Sequence, residues 1–306
     1  MRRSVAWTMK PDSGSLGRTD RRRWAHARPA EIRRLHRRHS ILTAPRTEAP
    51  GARDMQIDLS NTTVLVTGGS RGIGAALVRA LGRAGARVAI HYRDQRRPAL
   101  ALAEQIGAGA EVFAADLSRV EECTELWQSV VARFGRVNTL VNNAGIALSS
   151  PLESTTADWL RQWDTTMAVN LRAPALLCRH AIEHFAAQGG GRIINISSRA
   201  AFRGDQPPYL GYAASKGGLV ALTRSIARTF GKAGITAFNV APGFTRTEMA
   251  QAFIDEYGEA YAAGDIALKR LTEPDDIAPF VVFLASGLGD HATGCTIDVN
   301  AGSYVH

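Results

Sequence analysis

The stretch Val64-Leu-Val-Thr-Gly-Gly-Ser-Arg-Gly-Ile-Gly74 decides the fold of this chain. It joins a short apolar run to an amphipathic segment, so we expect a strand, a tight turn and a helix. Gly68, Gly72 and Gly74 have the spacing of a dinucleotide-binding turn. There the first glycine permits the turn, the second lets the backbone approach a pyrophosphate, and the third lets the helix pack closely on the sheet. The helix N-terminus would offer amide donors and a positive dipole end to the phosphates.

Short apolar runs alternate with longer amphipathic segments on the C-terminal side of this turn. Such alternation predicts an α/β domain with a doubly wound parallel sheet whose strands are buried on both faces. The predicted strands are Thr63–Thr67, Arg87–His91, Glu111–Ala114, Thr139–Asn142, Arg192–Ile196, Thr236–Val240 and Thr296–Val299. Helical segments include Gly74–Ala84, Val120–Phe134, Trp159–Ala187 and Ala213–Phe230.

The positive charge of the chain is confined to its N-terminal part. The formal net charge is +9, and residues 1–54 hold 14 Lys/Arg and 5 Asp/Glu, which accounts for all of it. Residues 55–306 are therefore neutral. A nucleic-acid-binding domain would carry basic excess in its folded part. We expect neither nucleic acid nor a membrane as a partner, since the sequence also contains no apolar run of 18 residues.

Residues 1–54 are Arg-rich and contain four prolines, so we expect a disordered extension. A transit peptide is one interpretation, but acidic residues such as Asp12, Asp20 and Glu31 weaken it. A basic arm that touches an anionic surface is a second. The interpretation we favour is that Met55 is the real start, because the fold begins a few residues later. The predicted domain then spans residues 55–306.

The cysteines and histidines predict neither disulfides nor a metal site. Cys123, Cys178 and Cys295 are far apart, fit no zinc spacing, and suit a reducing cytoplasm as buried apolar residues. His180 and His184 are four apart on one helix face, but no third ligand is apparent. We expect no bound metal.

Tyr212-Ala-Ala-Ser-Lys216 is the sharpest chemical signal in the chain. Residues four apart share a helix face. A free tyrosine, with a pKa of about 10, is a poor acid or base at neutral pH, but a nearby ammonium favours the phenolate. We expect Lys216 to lower the pKa of Tyr212, so that Tyr212 exchanges a proton with a carbonyl or alcohol oxygen.

The motifs together resemble those of the short-chain dehydrogenase/reductase family over about residues 58–306. Thr67 to Gly74 matches the family's T-G-x-x-x-G-I-G, Asn142-Asn-Ala-Gly145 its N-N-A-G, and Pro242-Gly243 with Thr247 its P-G-x-x-x-T. Asp116 follows the third strand, as does the family's acidic residue near the adenine. The resemblance implies a single Rossmann-type domain and a hydride transfer between a nicotinamide and a carbonyl or alcohol.

The resemblance also assigns site residues. It places the catalytic serine at Ser198 and a proton-relay asparagine at Asn170, which complete a tetrad with Tyr212 and Lys216. Ser198 precedes Tyr212 by 14 residues where 13 is usual, so Arg199–Gly211 is predicted to be a loop with one extra residue and Ser197 stays an alternative. The expected cofactor-binding residues, beside Tyr212 and Lys216, are Gly68, Ser70, Arg71, Gly72, Ile73, Gly74, Tyr92, Arg93, Asp116, Leu117, Asn143, Ala144, Gly145, Pro242, Gly243, Thr245 and Thr247.

Charge at the end of the second strand indicates which nicotinamide cofactor is used. NAD-binding proteins place an acidic residue there, and Tyr92 takes that position here. Arg93 and Arg71 are two guanidiniums suited to a 2′-phosphate, although Asp94 lies close by. We expect NADP(H). The alternative is that both arginines are solvated surface residues.

The substrate is not determined by these motifs. The 3-oxoacyl-carrier-protein reductase-like branch is the closest in resemblance, but Gly189 and Ala233 replace the basic residues that such reductases use for docking. A non-catalytic dinucleotide-binding regulator is a further alternative, although such proteins usually lose the tyrosine or lysine. Substrate contacts are expected from Arg199–Gly211 and Phe244–Leu271. We expect a small carbonyl or alcohol substrate, a homotetramer or homodimer, and a cytoplasmic location.

Overall fold

Seven short strands form one parallel sheet in the computed structural model, which describes residues 57–258 and 263–305. The strands are β1 (Thr63–Val66), β2 (Arg87–Tyr92), β3 (Ala110–Ala114), β4 (Thr139–Asn142), β5 (Gly191–Ile196), β6 (Ile235–Pro242) and β7 (Thr296–Val299). Their spatial order is β3-β2-β1-β4-β5-β6-β7, and every pairing is parallel. The predicted doubly wound α/β fold is confirmed.

Helices cover both faces of the sheet. They are α1 (Gly72–Arg83), α2 (Arg96–Ile106), α3 (Val120–Phe134), α4 (Thr156–Met167), α5 (Ala173–Gln188), α6 (Ala200–Arg203), α7 (Leu210–Phe230), α8 (Glu248–Tyr257) and α9 (Pro274–Ser286). One apolar cluster joins α1, α2 and α9 to the sheet, and a second joins α3, α5 and α7 to the opposite face. Val64 and Val66 belong to the first cluster and Leu65 to the second, as the period-2 geometry of a strand requires.

The sheet topology fixes where a ligand can bind. The chain moves outward from β1 through β2 to β3, then returns to place β4 on the other side of β1. At this point of reversal the connections leave in opposite directions, so a crevice opens at the carboxyl ends of the strands. The glycine turn after β1 and the Asn142–Gly145 segment after β4 both lie there.

Two predicted elements differ from the structure. The helix predicted over Trp159–Ala187 is divided by a π-helical turn at Ala168–Arg172, a feature that hydrophobic periodicity does not reveal. The loop predicted over Arg199–Gly211 contains α6, a 3₁₀ turn at Pro207–Tyr209 and the first residues of α7. The prediction was wrong because Pro207 and Pro208 do not break the chain here but start the turn that leads into α7.

The structure shows the surroundings of the three cysteines and of His180 and His184. Cys123 and Cys178 are buried as predicted, whereas Cys295 is only partly buried. Burial raises the pKa of the Cys178 thiol to about 12, so it is not a nucleophile near neutral pH. His180 contacts the Thr124 hydroxyl, and His184 accepts from the Val137 amide.

The predicted extension at residues 1–54 lies outside the described residues. By internal contacts the chain divides into Met1–Met55 and Gln56–His306, and the sheet and its helices belong to the second unit. Within the described part of the chain, the helices are too short or too polar to cross a bilayer.

Gly74 gives a test of the turn that positions α1. A Cβ built on Gly74 would lie 2.0 Å from the Gly68 carbonyl oxygen, a backbone atom that cannot move aside cheaply. We therefore expect Gly74→Ala to lower the free energy of unfolding by about 3 kcal/mol and to abolish dinucleotide binding, despite the better helix propensity of alanine. Chemical denaturation and cofactor titration measure the two effects.

Gly231→Ala is the matched control. Gly231 has φ −56°, and a Cβ there would meet nothing within 4 Å. Its unfolding free energy should stay within about 0.5 kcal/mol of wild type. Equal stability of the two variants would contradict the close approach at Gly74.

Candidate active site

A cavity of about 690 Å³ opens at the carboxyl ends of β1 to β4. Most of the predicted cofactor residues line it: Gly68, Ser70, Arg71, Gly72, Ile73, Gly74, Tyr92, Arg93, Asp116, Leu117, Asn143, Ala144, Gly145 and Thr247. We call it the dinucleotide cavity. Its volume suits a cofactor-sized ligand.

The glycine turn is held by side chains that follow β1 and β4. The Thr67 hydroxyl accepts from the amides of Asn143 and Ala144 at 2.9 and 3.0 Å. The Asn143 side chain donates to the carbonyls of Thr67 and Gly68 at 2.9 and 3.1 Å. Gly68 and Gly72 have φ values of +62° and +51°, which glycine adopts without strain. These contacts fix the backbone against which a pyrophosphate would lie.

His91 also lines this cavity and was not predicted as a site residue. Its Nδ1 accepts from the Gly68 amide at 3.0 Å, and its Nε2 lies 3.0 Å from the Ala115 carbonyl oxygen. Both contacts form at once only if the ring is neutral with its proton on Nε2. His91 therefore ties the glycine turn to the end of β3. The sequence signal was available, since a polar residue in an otherwise buried strand needs internal partners.

Burial lowers the pKa of His91 from 6.5 to about 4, against a smaller opposing effect of its bond to Ala115. The stability that His91 contributes is complete above pH 6.5 and is lost as the pH falls towards 4, because the unfolded chain takes up the proton first. We expect wild type to lose roughly 1 kcal/mol more than His91→Asn between about pH 7.5 and 5.5. Denaturant unfolding at the two pH values measures this difference.

The exposed residue His291 provides the control for that experiment. His291→Asn should show the same pH dependence of unfolding free energy as wild type, because this exposed residue takes no part in the buried contacts of His91. An identical pH dependence in wild type and His91→Asn would show that the buried histidine does not govern acid stability.

The two arginines predicted to select the cofactor both line the dinucleotide cavity. Each is paired with an acid: Arg71 with Glu248 at 2.8 Å and Arg93 with Asp94 at 2.6 Å. Their side chains are 58% exposed, so both can turn towards a phosphate at little cost. Tyr92 closes the strand end and is buried, so an uncharged residue stands where an NAD-binding acid would be. These residues fit a dinucleotide that carries a 2′-phosphate.

A second cavity, of about 600 Å³, adjoins the first and shares with it Ile73, Asn143, Gly145, Ala147 and Thr247. We call it the substrate cavity. The predicted residues Ser198, Tyr212, Lys216, Pro242, Gly243 and Thr245 line it. Both segments expected to contact substrate, after β5 and after β6, contribute to its wall.

The structure distinguishes the two serines at the end of β5. Ser197 is buried and donates to the Val240 carbonyl at 3.2 Å, so its hydroxyl is turned into the sheet. Ser198 lines the same cavity as Tyr212, lowers the pKa of its phenol, and accepts from the Ala200 amide at 3.1 Å. The extra residue between Ser198 and Tyr212 is accommodated by α6 and the 3₁₀ turn without separating the pair.

Lys216 is buried beneath Tyr212. Its Nζ lies 5.8 Å from the centre of the Tyr212 ring and donates to the Ile196 carbonyl at 2.9 Å. Burial lowers the pKa of Lys216 to about 8. Burial also raises the pKa of Tyr212, partly opposed by the Ser198 hydrogen bond. The expected lowering of the Tyr212 pKa is therefore not found in this structure: burial has the largest effect, the charge of Asp205 acts in the same direction, and Lys216 does not offset them.

Asn170 lies in the π-helical turn that interrupts the predicted helix. Its side chain accepts from the Ile146 amide at 2.9 Å and donates to the Ile146 carbonyl at 2.8 Å. It also donates to the Ser215 hydroxyl at 3.1 Å. A Cβ on Gly145 would lie 3.2 Å from Lys216 Nζ and 3.5 Å from Asn170 Oδ1, so these polar atoms converge where only glycine leaves room.

Comparisons with known proteins show which proteins this chain resembles. A family model described as enoyl-(acyl carrier protein) reductase matches residues 68–304. The 3-oxoacyl-(acyl-carrier-protein) reductase of Staphylococcus epidermidis is 37% identical over 80% of this chain and all of its own length. The acetoacetyl-CoA reductase of Rhizobium meliloti is 36% identical over 78% of this chain and 97% of its own.

A solved structure adds a relative with cofactor. A protein from Beutenbergia cavernae, described as an NAD(P)-dependent gluconate 5-dehydrogenase and solved with NADP bound at low occupancy, is 33% identical to this chain. The structural match covers 81% of this chain and 98% of that protein, with a TM-score of 0.75.

Proposed function

The chain belongs to the short-chain dehydrogenase/reductase family, in its 3-oxoacyl-carrier-protein reductase-like branch, and on that premise we propose that Asn170, Ser198, Tyr212 and Lys216 carry out its chemistry. The chain is an NADP(H)-dependent oxidoreductase that transfers a hydride to or from a small carbonyl or alcohol substrate. The observation that carries the assignment is geometric: Ser198, Tyr212 and Lys216 line one cavity, Lys216 Nζ lies 5.8 Å from the centre of the Tyr212 ring, and this cavity shares a wall with the dinucleotide cavity.

The four residues have distinct roles in this proposal. NADPH supplies the hydride when bound. Tyr212 donates its phenolic proton to the carbonyl oxygen as the carbonyl carbon accepts the hydride, which gives the alcohol. Ser198 polarises that oxygen by hydrogen bonding. Lys216, with its pKa lowered to about 8, returns a proton towards Tyr212, and Asn170 holds the backbone behind it.

The dinucleotide cavity supports the cofactor residues proposed from the sequence. Arg71 and Arg93 would exchange their acid partners for the 2′-phosphate, and Gly68, Gly72 and Gly74 leave room for the pyrophosphate. The substrate-side residues Pro242, Gly243 and Thr245 would lie beside the nicotinamide. Asn143 and Gly145 line both cavities, so a nicotinamide held there would face the substrate cavity.

Assembly and location are part of the same proposal. Leu160 on α4 and Leu210 at the start of α7 are exposed apolar residues near the stacked rings of Trp159 and Trp163. We propose that these helices form a homodimer or homotetramer interface. We further propose that residues 55–306 are the catalytic domain and that the protein acts in the cytoplasm.

Tyr212→Phe tests the acid–base assignment. The variant keeps the ring but removes the proton donor, so turnover should fall by roughly 10²–10⁴-fold while NADPH affinity changes little. Steady-state kinetics and cofactor titration on the same protein measure both. Tyr209→Phe removes a hydroxyl from the same cavity and should retain turnover within a few-fold. Near-wild-type turnover in Tyr212→Phe would refute the assignment.

Arg93→Ala tests the cofactor assignment. Loss of a guanidinium that binds the 2′-phosphate should weaken NADPH about tenfold and leave NADH affinity nearly unchanged. Arg97→Ala is the matched control, because Arg97 is exposed but does not line the cavity. Fluorescence titrations with both nucleotides give the ratio. An equal loss for NADPH and NADH, or the same loss in Arg97→Ala, would exclude Arg93 as the selecting residue.

A further inference from the structure

Two arginines that the catalytic assignment does not use project into the substrate cavity. Arg199 directly follows Ser198, and Arg203 follows four residues later across the short helix α6. Residues with this spacing lie on the same helix face. The Arg199 side chain is 11% exposed, so a cation is largely buried beside the reacting groups.

Both guanidiniums donate to one carboxylate oxygen. Arg199 Nη1 lies 3.0 Å from Asp265 Oδ2, and Arg203 Nη1 makes a shorter bond to the same atom. Burial lowers the pKa of Arg199, and the charge of Arg203 acts in the same direction, while Asp265 opposes both. A buried cation of this kind is stable only while an anion stays within its reach.

Asp265 is the exchangeable member of this group. Its side chain is 53% exposed, so it can return to water at little cost. Asp205 also lines the cavity and attracts Arg199 by charge. However, Asp205 is exposed, and its Oδ1 accepts from the Gln206 amide at 2.9 Å. The two guanidiniums therefore depend chiefly on an anion that another anion could replace.

We propose that Arg199 and Arg203 form an anion subsite, that the carbonyl substrate is a small oxo acid whose carboxylate binds there, and that Asp265 is the internal anion it displaces. The planar guanidinium fork matches a carboxylate in geometry, whereas a neutral ester cannot replace the charge of Asp265. This inference rests on the proposed carbonyl reduction, because it takes Ser198 and Tyr212 as the place where the carbonyl lies. It makes the pair of arginines, not Tyr212, the determinant of substrate class.

The position of the arginines places the anion subsite in the same cavity as the proposed catalytic residues. Arg199 is adjacent in sequence to Ser198, and its amide donates to the Pro242 carbonyl at 3.0 Å, which fixes its backbone against β6. A carboxylate on these guanidiniums and a carbonyl near Ser198 would occupy the same cavity, so one oxo acid can contact both. The cavity of about 600 Å³ accommodates such a molecule.

The test uses binding to the enzyme saturated with NADP⁺, in which no reduction can occur. Calorimetric titrations compare 4-oxopentanoate and 5-oxohexanoate with their methyl esters. We expect wild type to bind at least one acid roughly tenfold or more tightly than its ester. Arg203→Gln should remove most of this preference, and Arg199→Lys should reduce it while keeping the buried charge. Cofactor titration of each variant verifies that it is folded.

Asp265→Asn makes the decisive comparison because the expected change is a gain. Removal of the competing anion should tighten binding of the acid several-fold and leave the ester unchanged. The exposed Asp275→Asn makes the same change of charge outside the cavity and should alter neither ligand. If Asp265→Asn weakens acid and ester alike, the cluster is a structural tie and the proposal is wrong.

Two other results overturn the proposal: equal affinity for acid and ester in wild type, or no binding of either. The proposed catalytic function is judged separately, by NADPH oxidation with the same compounds and with a neutral diketone. Acid-selective binding without NADPH oxidation would refute the catalytic assignment but keep the anion subsite. Oxidation of NADPH with the diketone, without any preference for the acid over its ester, would support the catalytic assignment and refute the anion subsite.

Discussion

The close approach of the backbone at Gly68 and Gly74 is the constraint on which the rest of the site depends. A side chain on Gly74 would overlap the Gly68 carbonyl, and a Cβ on Gly68 would lie 3.0 Å from Ala144 Cα. Helix α1 can therefore begin directly on the turn, with its N-terminal amides facing the cavity. Asn143 bonds to the carbonyls of the same turn, so β1, α1 and the end of β4 behave as one unit. Because Asn143 also lines the substrate cavity, this unit aligns the two cavities with each other.

The parts that sequence could predict are those governed by local chemistry. Buried parallel strands are short apolar runs, so most of their positions were correct to within one or two residues, although the order of the strands in the sheet leaves no local signal. The glycine spacing identified the turn because only glycine adopts φ values such as the +62° of Gly68 without strain. Tyr212 and Lys216 were paired correctly because helix spacing alone brings them to one face. In each case, the residue types of a short local segment are enough to predict the feature.

The parts that sequence could not predict depend on contacts between distant segments. His91 bonds to Gly68, which is 23 residues away, and Asn170 bonds to Ile146 across the crevice, where it occupies a π-helical turn. A polar residue in a buried strand marks His91 as needing a partner, but the sequence does not show which partner, and the contact of Asn170 leaves no periodic signal. The pKa of Tyr212 was misjudged for the same reason: the spacing to Lys216 is evident from the sequence, but the burial that raises the pKa of the phenol is a property of the folded chain.

Burial shifts the pKa values of Tyr212 and Lys216, the proposed catalytic pair, in opposite directions. In the proposed reduction Tyr212 is the proton donor, and burial, which raises its pKa, favours the protonated phenol. Oxidation requires the phenolate, which the same burial disfavours. Lys216 has the complementary change, because a pKa of about 8 lets it give up a proton more readily than an exposed lysine. The two groups lie close together, with Lys216 Nζ 5.8 Å from the centre of the Tyr212 ring, so in the proposed reaction the proton source lies behind the proton donor. The two opposite shifts have one physical cause, since loss of solvent disfavours the charged form of each group, the phenolate of Tyr212 and the ammonium of Lys216.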